Sequence, residues 1–159
     1  MRVYLAGAIE AAPDGGKAWR RDLIPFLKQE FDAEVFDPAV NETDLLTAEE
    51  KDNFRGWKVT DYKRFSGVIK RIIDRDLDQL INHSDVAICY WDQYVLGGGG
   101  THGEVTVCHE HGIPLYMVLG MPREDVSSWI LGCATEVFNS FSELREYLLK
   151  HKPSKGLST

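Results

Sequence analysis

The residues best suited to chemistry lie in the stretch Gly97-Gly98-Gly99-Gly100-Thr101-His102-Gly103-Glu104. The stretch follows residues 85–91, a run that is apolar on both faces and predicts a central strand of a parallel sheet. Residues 105–112 then predict a helix, so the glycines lie between a strand and a helix. Ligands of open α/β sheets bind at this edge, where glycine lets a backbone approach them closely. Glu104 is therefore the first candidate for a catalytic group.

Glu104 has a structural interpretation and a chemical one, and the two are compatible. Thr101 and Glu104 have the spacing of a capping box, with threonine as N-cap and glutamate three residues later. A carboxylate in the first turn of a helix is also held ionised by the helix dipole. An ionised carboxylate at a ligand-binding edge can act as a nucleophile. We therefore expect Glu104 to serve as a cap, a nucleophile or both.

Asp76 is the second candidate, because it falls on the apolar face of a predicted helix. Residues 64–83 have helical periodicity, and Asp76 lies near the middle of the apolar stripe. That stripe comprises Phe65, Val68, Ile69, Ile72, Ile73 and Leu80. A buried carboxylate is costly unless it is hydrogen-bonded or paired, and such groups cluster at functional sites. We predict that Asp76 faces the site; the alternative is a cap near the surface, on the last turns of the helix.

The order of the predicted elements indicates how these residues are positioned. Strands predicted at residues 2–7, 33–37, 85–91, 113–119 and 135–138 alternate with helices. This pattern is typical of a three-layer α/β fold with a doubly wound, five-stranded parallel sheet in the flavodoxin-like order 2-1-3-4-5. Residues 1–150 form a single domain in this prediction, and residues 151–159 a flexible tail. Residues 41–63 are expected to form an insertion that covers the edge of the site.

Composition excludes several classes of partner and cofactor. A net charge of −7 and a pI near 5.2 argue against a nucleic acid polymer or an anionic membrane as the main partner. No stretch approaches the length of a membrane span. Three cysteines without a CxxC pair favour reduced thiols in a cytoplasmic protein. The segment Gly15-Gly16-Lys17 lacks the Walker spacing, and the histidines near residue 105 lack a third ligand, so neither a P-loop nor a metal site is expected.

Several motifs together resemble the nucleoside 2-deoxyribosyltransferase family over residues 2–120. They are, in chain order, Val3-Tyr4-Leu5-Ala6-Gly7, Asp76-Leu77, Ser84-Asp85, Gly100-Thr101-x-x-Glu104 and Gly112-Ile113-Pro114. The resemblance implies that Glu104 is the nucleophile, that the hydroxyl of Tyr4 orients it, and that Asp76 contacts the nucleoside. The chain departs from the family pattern at Gly98, where members often carry a second acid. Asp92 is the nearest acid upstream, and either Asp76 or Asp92 is expected to deliver a proton to the departing base.

The resemblance also implies an activity, namely N-deoxyribosyl transfer between nucleobases by retaining double displacement, as in nucleotide salvage. The partners would be a nucleoside or nucleotide and a free nucleobase, with neither cofactor nor metal, and the chain would form a homo-oligomer. The expected substrate-binding residues are Gly7, Ala8, Ile9, Asp37, Gly100 and Thr101. One alternative is a deoxynucleoside monophosphate N-glycoside hydrolase, with Lys17, Arg20 or Arg21 as phosphate ligands. A second alternative is a nucleotide-binding module without catalysis.

Overall fold

The sheet has the predicted topology. The computed structural model describes residues 1–151, apart from the side chains of residues 41–44. Five parallel strands form one sheet in the order β2-β1-β3-β4-β5, which confirms the predicted 2-1-3-4-5 arrangement. The strands are β1 (Arg2–Gly7), β2 (Glu34–Phe36), β3 (Val86–Trp91), β4 (Leu115–Leu119) and β5 (Glu136–Phe138). The tail predicted at residues 151–159 lies, beyond His151, outside the described residues.

Helices cover both faces of this sheet, so the fold has three layers. The described residues form α1 (Lys17–Phe31), α2 (Pro38–Leu45), α3 (Ala48–Thr60), α4 (Tyr62–His83), α5 (Gly100–His111), α6 (Ser128–Cys133) and α7 (Phe141–Lys150). On one face α1 and α7 bury Leu23 and Leu144 against the sheet. On the other face α4, α5 and α6 bury Leu80, Val105 and Ile130. None of the helices in residues 1–151 combines the length and apolar character that crossing a bilayer requires.

The register of β1 and β3 creates the edge where a ligand can bind. These neighbouring strands are aligned so that Gly7, the last residue of β1, lies opposite Tyr90 near the end of β3. The chain leaves β1 toward β2 on one side and β3 toward β4 on the other. The carboxyl ends of β1 and β3 therefore flank the topological switch point, where open α/β sheets bind ligands.

The predicted insertion forms two helices that pack on α4. Helix α3 begins with a capping box, in which Glu50 N donates to Thr47 Oγ1 (3.2 Å) and Thr47 N donates to Glu50 Oε2 (2.9 Å). A small core of Leu46, Phe54 and Val68 joins the insertion to α4. Because α4 also packs on the sheet through Leu80, this arrangement holds α3 beside the carboxyl edge.

The start of α5 differs from the prediction, and the difference removes the capping box at Glu104. Helix α5 begins at Gly100 rather than near residue 105, and its N-cap is Gly99, which makes no side-chain capping bond. Thr101 is buried at the second helical position and Glu104 occupies the fifth. The glycines lower helix propensity, but Val105 packs in the core on this face of the sheet and Thr101 is buried as well, which favours an ordered helical turn here. Glu104 is therefore available for a role other than capping.

Ile73, a residue of the predicted apolar face of α4, is exposed and not buried as expected. Ile73 is 47% exposed, whereas Val68 and Leu80 on the same stripe are buried. The stripe is wide, and the sheet and the insertion together cover only part of it. The periodicity predicted the helix and most of its buried face, but not where that face ends.

Candidate functional site

A cavity of about 530 Å³ opens at the carboxyl edge of β1 and β3. Its walls come from the segment after β1, the turn after β3, the start of α5 and the helices α3 and α4. Of the predicted substrate-binding residues, the following line it: Gly7, Ala8, Ile9, Gly100 and Thr101. A volume of this order suits a small organic molecule of the size of a nucleoside. The structure therefore brings most of the predicted binding residues to one cavity.

Glu104 and Tyr4 are joined by a short hydrogen bond at this site. Tyr4 Oη donates a hydrogen bond to Glu104 Oε1 over 2.6 Å, although the two residues lie 100 positions apart in the chain. The ring of Tyr4 is fully buried and stacks on Phe36 at a centroid distance of 5.4 Å. Glu104 is partly accessible and lines the cavity. The phenol is thus a rigid donor that fixes one oxygen of a carboxyl group facing the ligand space.

Burial dominates the electrostatics of Glu104. Loss of hydration raises its pKa from 4.5 to about 7, against the opposing effect of the Tyr4 hydrogen bond. The negative charge of Asp76 also contributes to this net increase in the pKa, and the positive charge of Arg20 opposes it. The expectation that the helix dipole keeps Glu104 ionised is wrong, because the dipole acts mainly within the first turn and Glu104 lies beyond it. At neutral pH roughly half of these carboxyl groups carry a charge.

Tyr4 remains a hydrogen-bond donor throughout the physiological range. Burial raises the pKa of its phenol well above the usual value, and the neighbouring charge of Glu104 raises it further. A neutral phenol beside a carboxylate forms a charge-assisted hydrogen bond, which is stronger than one between neutral groups. The contact therefore favours the ionised form of Glu104 over the protonated form.

Asp76 lines the same cavity as Glu104, which confirms its predicted placement but not its role. Its side chain is 15% exposed, and Arg75 Nε and Nη2 donate to its Oδ1 over 2.8 and 2.6 Å. The guanidinium of Arg75 lies 5.6 Å from the ring centroid of Phe36, on which Tyr4 stacks. The carboxylate is consequently held in a fixed position beside Glu104, where its charge acts on the same ligand space.

Asp92 and Asp37 do not line the cavity. Asp92 caps the 3-10 turn Gln93–Gly97 by accepting from Tyr94 N over 3.0 Å, and burial raises its pKa. Asp37 caps α2 by accepting from Ala39 N over 2.9 Å and forms a buried ion pair with Arg20. Both carboxyl groups are engaged locally, so their positions give no support to the predicted roles in proton transfer and substrate binding.

The residues predicted to bind a phosphate also lie outside the cavity lining. Arg20 is 1% exposed and bonded to backbone carbonyls, while Lys17 and Arg21 are exposed on α1 and do not line the cavity. The sequence analysis missed the cations that do line it, namely Arg55, Lys58 and Arg75. Arg55 and Lys58 lie on α3, which belongs to the predicted insertion. Because the insertion was expected to cover the site, its cations could have been identified from the sequence.

The cysteines are buried, and the described side chains form no metal-binding cluster. Cys89, Cys108 and Cys133 are free and buried, and burial raises the pKa of each thiol. Thiols that stay protonated are poor nucleophiles and poor metal ligands. Among the side chains of residues 1–40 and 45–151, no group of three or more histidine, cysteine or acidic residues is arranged to hold a metal ion.

Comparison with known proteins does not assign the chain to a family. A scan against protein-family models matches none of them, and a search of curated proteins finds no match. Function is therefore inferred from the chain's own residues. These supply a cavity of nucleoside size, a half-ionised carboxyl fixed by a phenol, a second carboxylate and three cations.

Proposed function

We propose that the protein transfers N-deoxyribosyl groups between nucleobases, with Glu104 as the nucleophile. The observation that carries the proposal is the 2.6 Å hydrogen bond from Tyr4 to Glu104 Oε1 at the wall of a nucleoside-sized cavity. Because Oε1 is held by the buried phenol, Oε2 is the oxygen available to attack. The resemblance to the nucleoside 2-deoxyribosyltransferase family supports the same roles for these two residues.

The reaction proceeds through two displacements at the anomeric carbon. In the first, Glu104 Oε2 bonds to C1′, the C1′–N bond breaks, and the base departs with the electron pair and gains a proton. In the second, a nitrogen of another base attacks C1′ and loses its proton, and Glu104 leaves as a carboxylate. Two inversions give net retention. Asp76 lines the cavity and is ion-paired with Arg75, so it would act in its ionised form and stabilise the oxocarbenium-like transition state, while the departing base would take its proton from solvent and the incoming base would return one.

An incubation with a 2′-deoxynucleoside, with and without a second free base, tests this proposal. Transfer predicts an exchanged nucleoside only when the second base is present, whereas hydrolysis predicts free deoxyribose in both cases. The matched variant is Glu104→Gln, which preserves shape but removes the attacking charge, so turnover should fall by several orders of magnitude. Undiminished turnover in Glu104→Gln would refute the nucleophile. Ligand binding with no turnover by the wild type would favour a non-catalytic binding module.

A second candidate function is N-glycoside hydrolysis of deoxynucleoside monophosphates. It is favoured by the cations of the cavity wall, since Arg55, Lys58 and Arg75 could neutralise a 5′-phosphate. Lys58 Nζ lies 3.5 Å from Glu10 Oε1, an exposed pair that a phosphate could displace.

The comparison of Lys58→Gln with Lys51→Gln tests the phosphate interpretation, because Lys51 is exposed on the same helix and does not line the cavity. For the phosphate interpretation, only Lys58→Gln should raise KM for the monophosphate, and it should leave KM for the nucleoside unchanged. If Lys58→Gln had the same KM as the wild type for the monophosphate, and also for the nucleoside, the phosphate interpretation would be contradicted.

We also propose a cytoplasmic homo-oligomer that acts on small molecules and not on nucleic acid polymers. The buried free thiols and the net charge of −7 support the compartment and the choice of partner. The resemblance to the nucleoside 2-deoxyribosyltransferase family supports the homo-oligomer, and Leu96, which is 57% exposed in the turn beside the glycines, is the residue that we choose to probe it. Sedimentation of the wild type and Leu96→Ser tests this assembly: a monomeric wild type would contradict it.

A further inference from the structure

Arg20 reaches the carboxyl edge from the opposite layer of the fold. It belongs to α1, yet its guanidinium is 1% exposed and contacts the end of β1. Nη1 donates to Gly16 O (2.7 Å) and Ala8 O (3.5 Å), and Nη2 donates to Gly7 O (3.1 Å). Nε lies 3.1 Å from Asp37 Oδ1. One side chain thus joins the end of β1, the start of α1 and the start of α2.

The segments that Arg20 joins are parts of the cavity wall. Gly7 and Ala8 line the cavity, and so does Pro38, the residue after Asp37. Gly16, the N-cap of α1, has a left-handed backbone with φ of 69°. A Cβ at this position would collide with Ala8 O and with the Arg20 guanidinium. The close contact of the guanidinium with two stretches of backbone therefore requires glycine here.

The charged and titratable groups that act on Glu104 come from every element around it. Tyr4 on β1 donates its hydrogen bond, and Asp76 on α4 adds a negative charge. The thiols of Cys89 on β3 and Cys108 on α5 are protonated neighbours. Arg20 on α1 contributes a positive charge from within the protein, where screening by solvent is weak.

We propose that Arg20 is a positioning residue of the site: it fixes the β1 loop and the start of α2 as one wall of the cavity and presents a buried positive charge to Glu104. The proposal rests on the proposed function in treating Glu104 as the reacting group. Arg20 does not reach the ligand space, so it acts through the wall and through the charge of Glu104. This role replaces the phosphate contact that the sequence suggested for Arg20.

A titration of Glu104 in Arg20 variants separates this role from a purely structural one. The carboxyl signal of Glu104 is followed by ¹³C NMR against pH and assigned by its absence in Glu104→Gln. The double variant Arg20→Met/Asp37→Asn leaves no unpaired buried charge, and asparagine can still cap α2. We expect the pKa of Glu104 to rise, because the positive charge of Arg20, which lowers this pKa, is lost. The matched control is Lys28→Met, which removes an exposed cation of α1 and should leave this pKa unchanged.

Two single variants make the test independent of whether the double variant folds. Asp37→Asn keeps the positive charge of Arg20, so the pKa of Glu104 should not rise above the wild-type value. Arg20→Lys keeps the charge but loses the forked contacts with Gly7, Ala8 and Gly16, so this pKa should stay near the wild-type value. In Arg20→Lys, KM should rise several-fold, with a smaller change in kcat.

Two results would overturn the proposal: an unshifted Glu104 pKa in the folded double variant, or a raised Glu104 pKa in Asp37→Asn. The titration needs no substrate, so its outcome is distinct from failure of the proposed transfer reaction.

Discussion

Removal of the Tyr4 hydroxyl should shift the pH dependence of the reaction. Tyr4→Phe keeps the ring, its stacking on Phe36 and its burial, but deletes the donor that lies 2.6 Å from Glu104 Oε1. This hydrogen bond lowers the pKa of Glu104, which burial raises to about 7. Without it, the ionised form of Glu104 loses its stabilising partner, so the pKa must rise above that of the wild type.

The size of the shift follows from the strength of such a bond. A hydrogen bond to a charged group contributes roughly 1.5–3 kcal/mol, and one pKa unit corresponds to about 1.4 kcal/mol. The pKa of Glu104 should therefore increase by about 1–2 units in Tyr4→Phe. At pH 7 the ionised fraction would fall from about one half to between roughly one tenth and one hundredth. We expect kcat/KM at pH 7 to fall by about 5- to 50-fold and to recover substantially near pH 9.

A pH–rate profile on a deoxynucleoside and a ¹³C titration of Glu104 measure this effect independently. The acid limb of kcat/KM and the titration midpoint should move upward together in Tyr4→Phe. The control is Tyr116→Phe, since Tyr116 packs on the opposite face of the sheet, against α7. A titration midpoint that stays at the wild-type value in Tyr4→Phe would refute the reasoning, whatever happens to the rate.

Further predictions concern the charge and backbone of the site. Glu104 contributes stability that is fully present below pH 4.5 and is lost as pH rises through about 7, because its pKa is raised in the folded state. Urea unfolding should therefore show Glu104→Gln gaining up to about 3 kcal/mol relative to wild type between pH 4 and 8; a constant difference would contradict this. Asp76→Asn should move the acid limb of kcat/KM to lower pH, because a negative charge that raises the pKa of Glu104 is removed; an upward shift would contradict this. Gly16→Ala should lower the free energy of unfolding by about 2 kcal/mol or more, because Cβ meets a backbone carbonyl there. Gly15→Ala shares the left-handed backbone, but its Cβ would make only an ordinary 3.6 Å contact with the Lys17 side chain, so an equal loss in both variants would contradict the steric argument.

The sequence predicted the elements whose signal is local. Continuous apolar runs such as residues 85–91 identify strands buried on both faces, and their alternation with helices predicts the parallel sheet. The topology then brings the glycines after β3 beside the end of β1. Asp76 was identified because an acid on an apolar stripe is unusual. Each of these inferences needs only periodicity and the rule that ligands bind at the carboxyl edge.

The features that the sequence did not predict depend on contacts between distant segments. Helix α5 begins at Gly100, with Thr101 buried at its second position, and not at the capping box that the local sequence favours. In the sequence pattern of α1, Arg20 resembles an ordinary surface cation. Its burial becomes apparent only in the folded structure, where its guanidinium donates hydrogen bonds to Gly7 O and Gly16 O. Likewise, the cavity contact of Lys58 depends on how the insertion packs on α4. Periodicity carries no information about such tertiary partners.

The most direct test of the central claim is peptide mapping of a covalent sugar adduct. A 2′-fluorinated nucleoside analogue suits this experiment, because fluorine destabilises the oxocarbenium-like state and slows release of the ester. After incubation without an acceptor base and an acid quench, mass spectrometry should find the sugar on the peptide that contains Glu104, and Glu104→Gln should carry none. An unmodified Glu104 peptide from an enzyme that demonstrably turns over the parent nucleoside, or a sugar attached to Asp76 instead, would contradict the account.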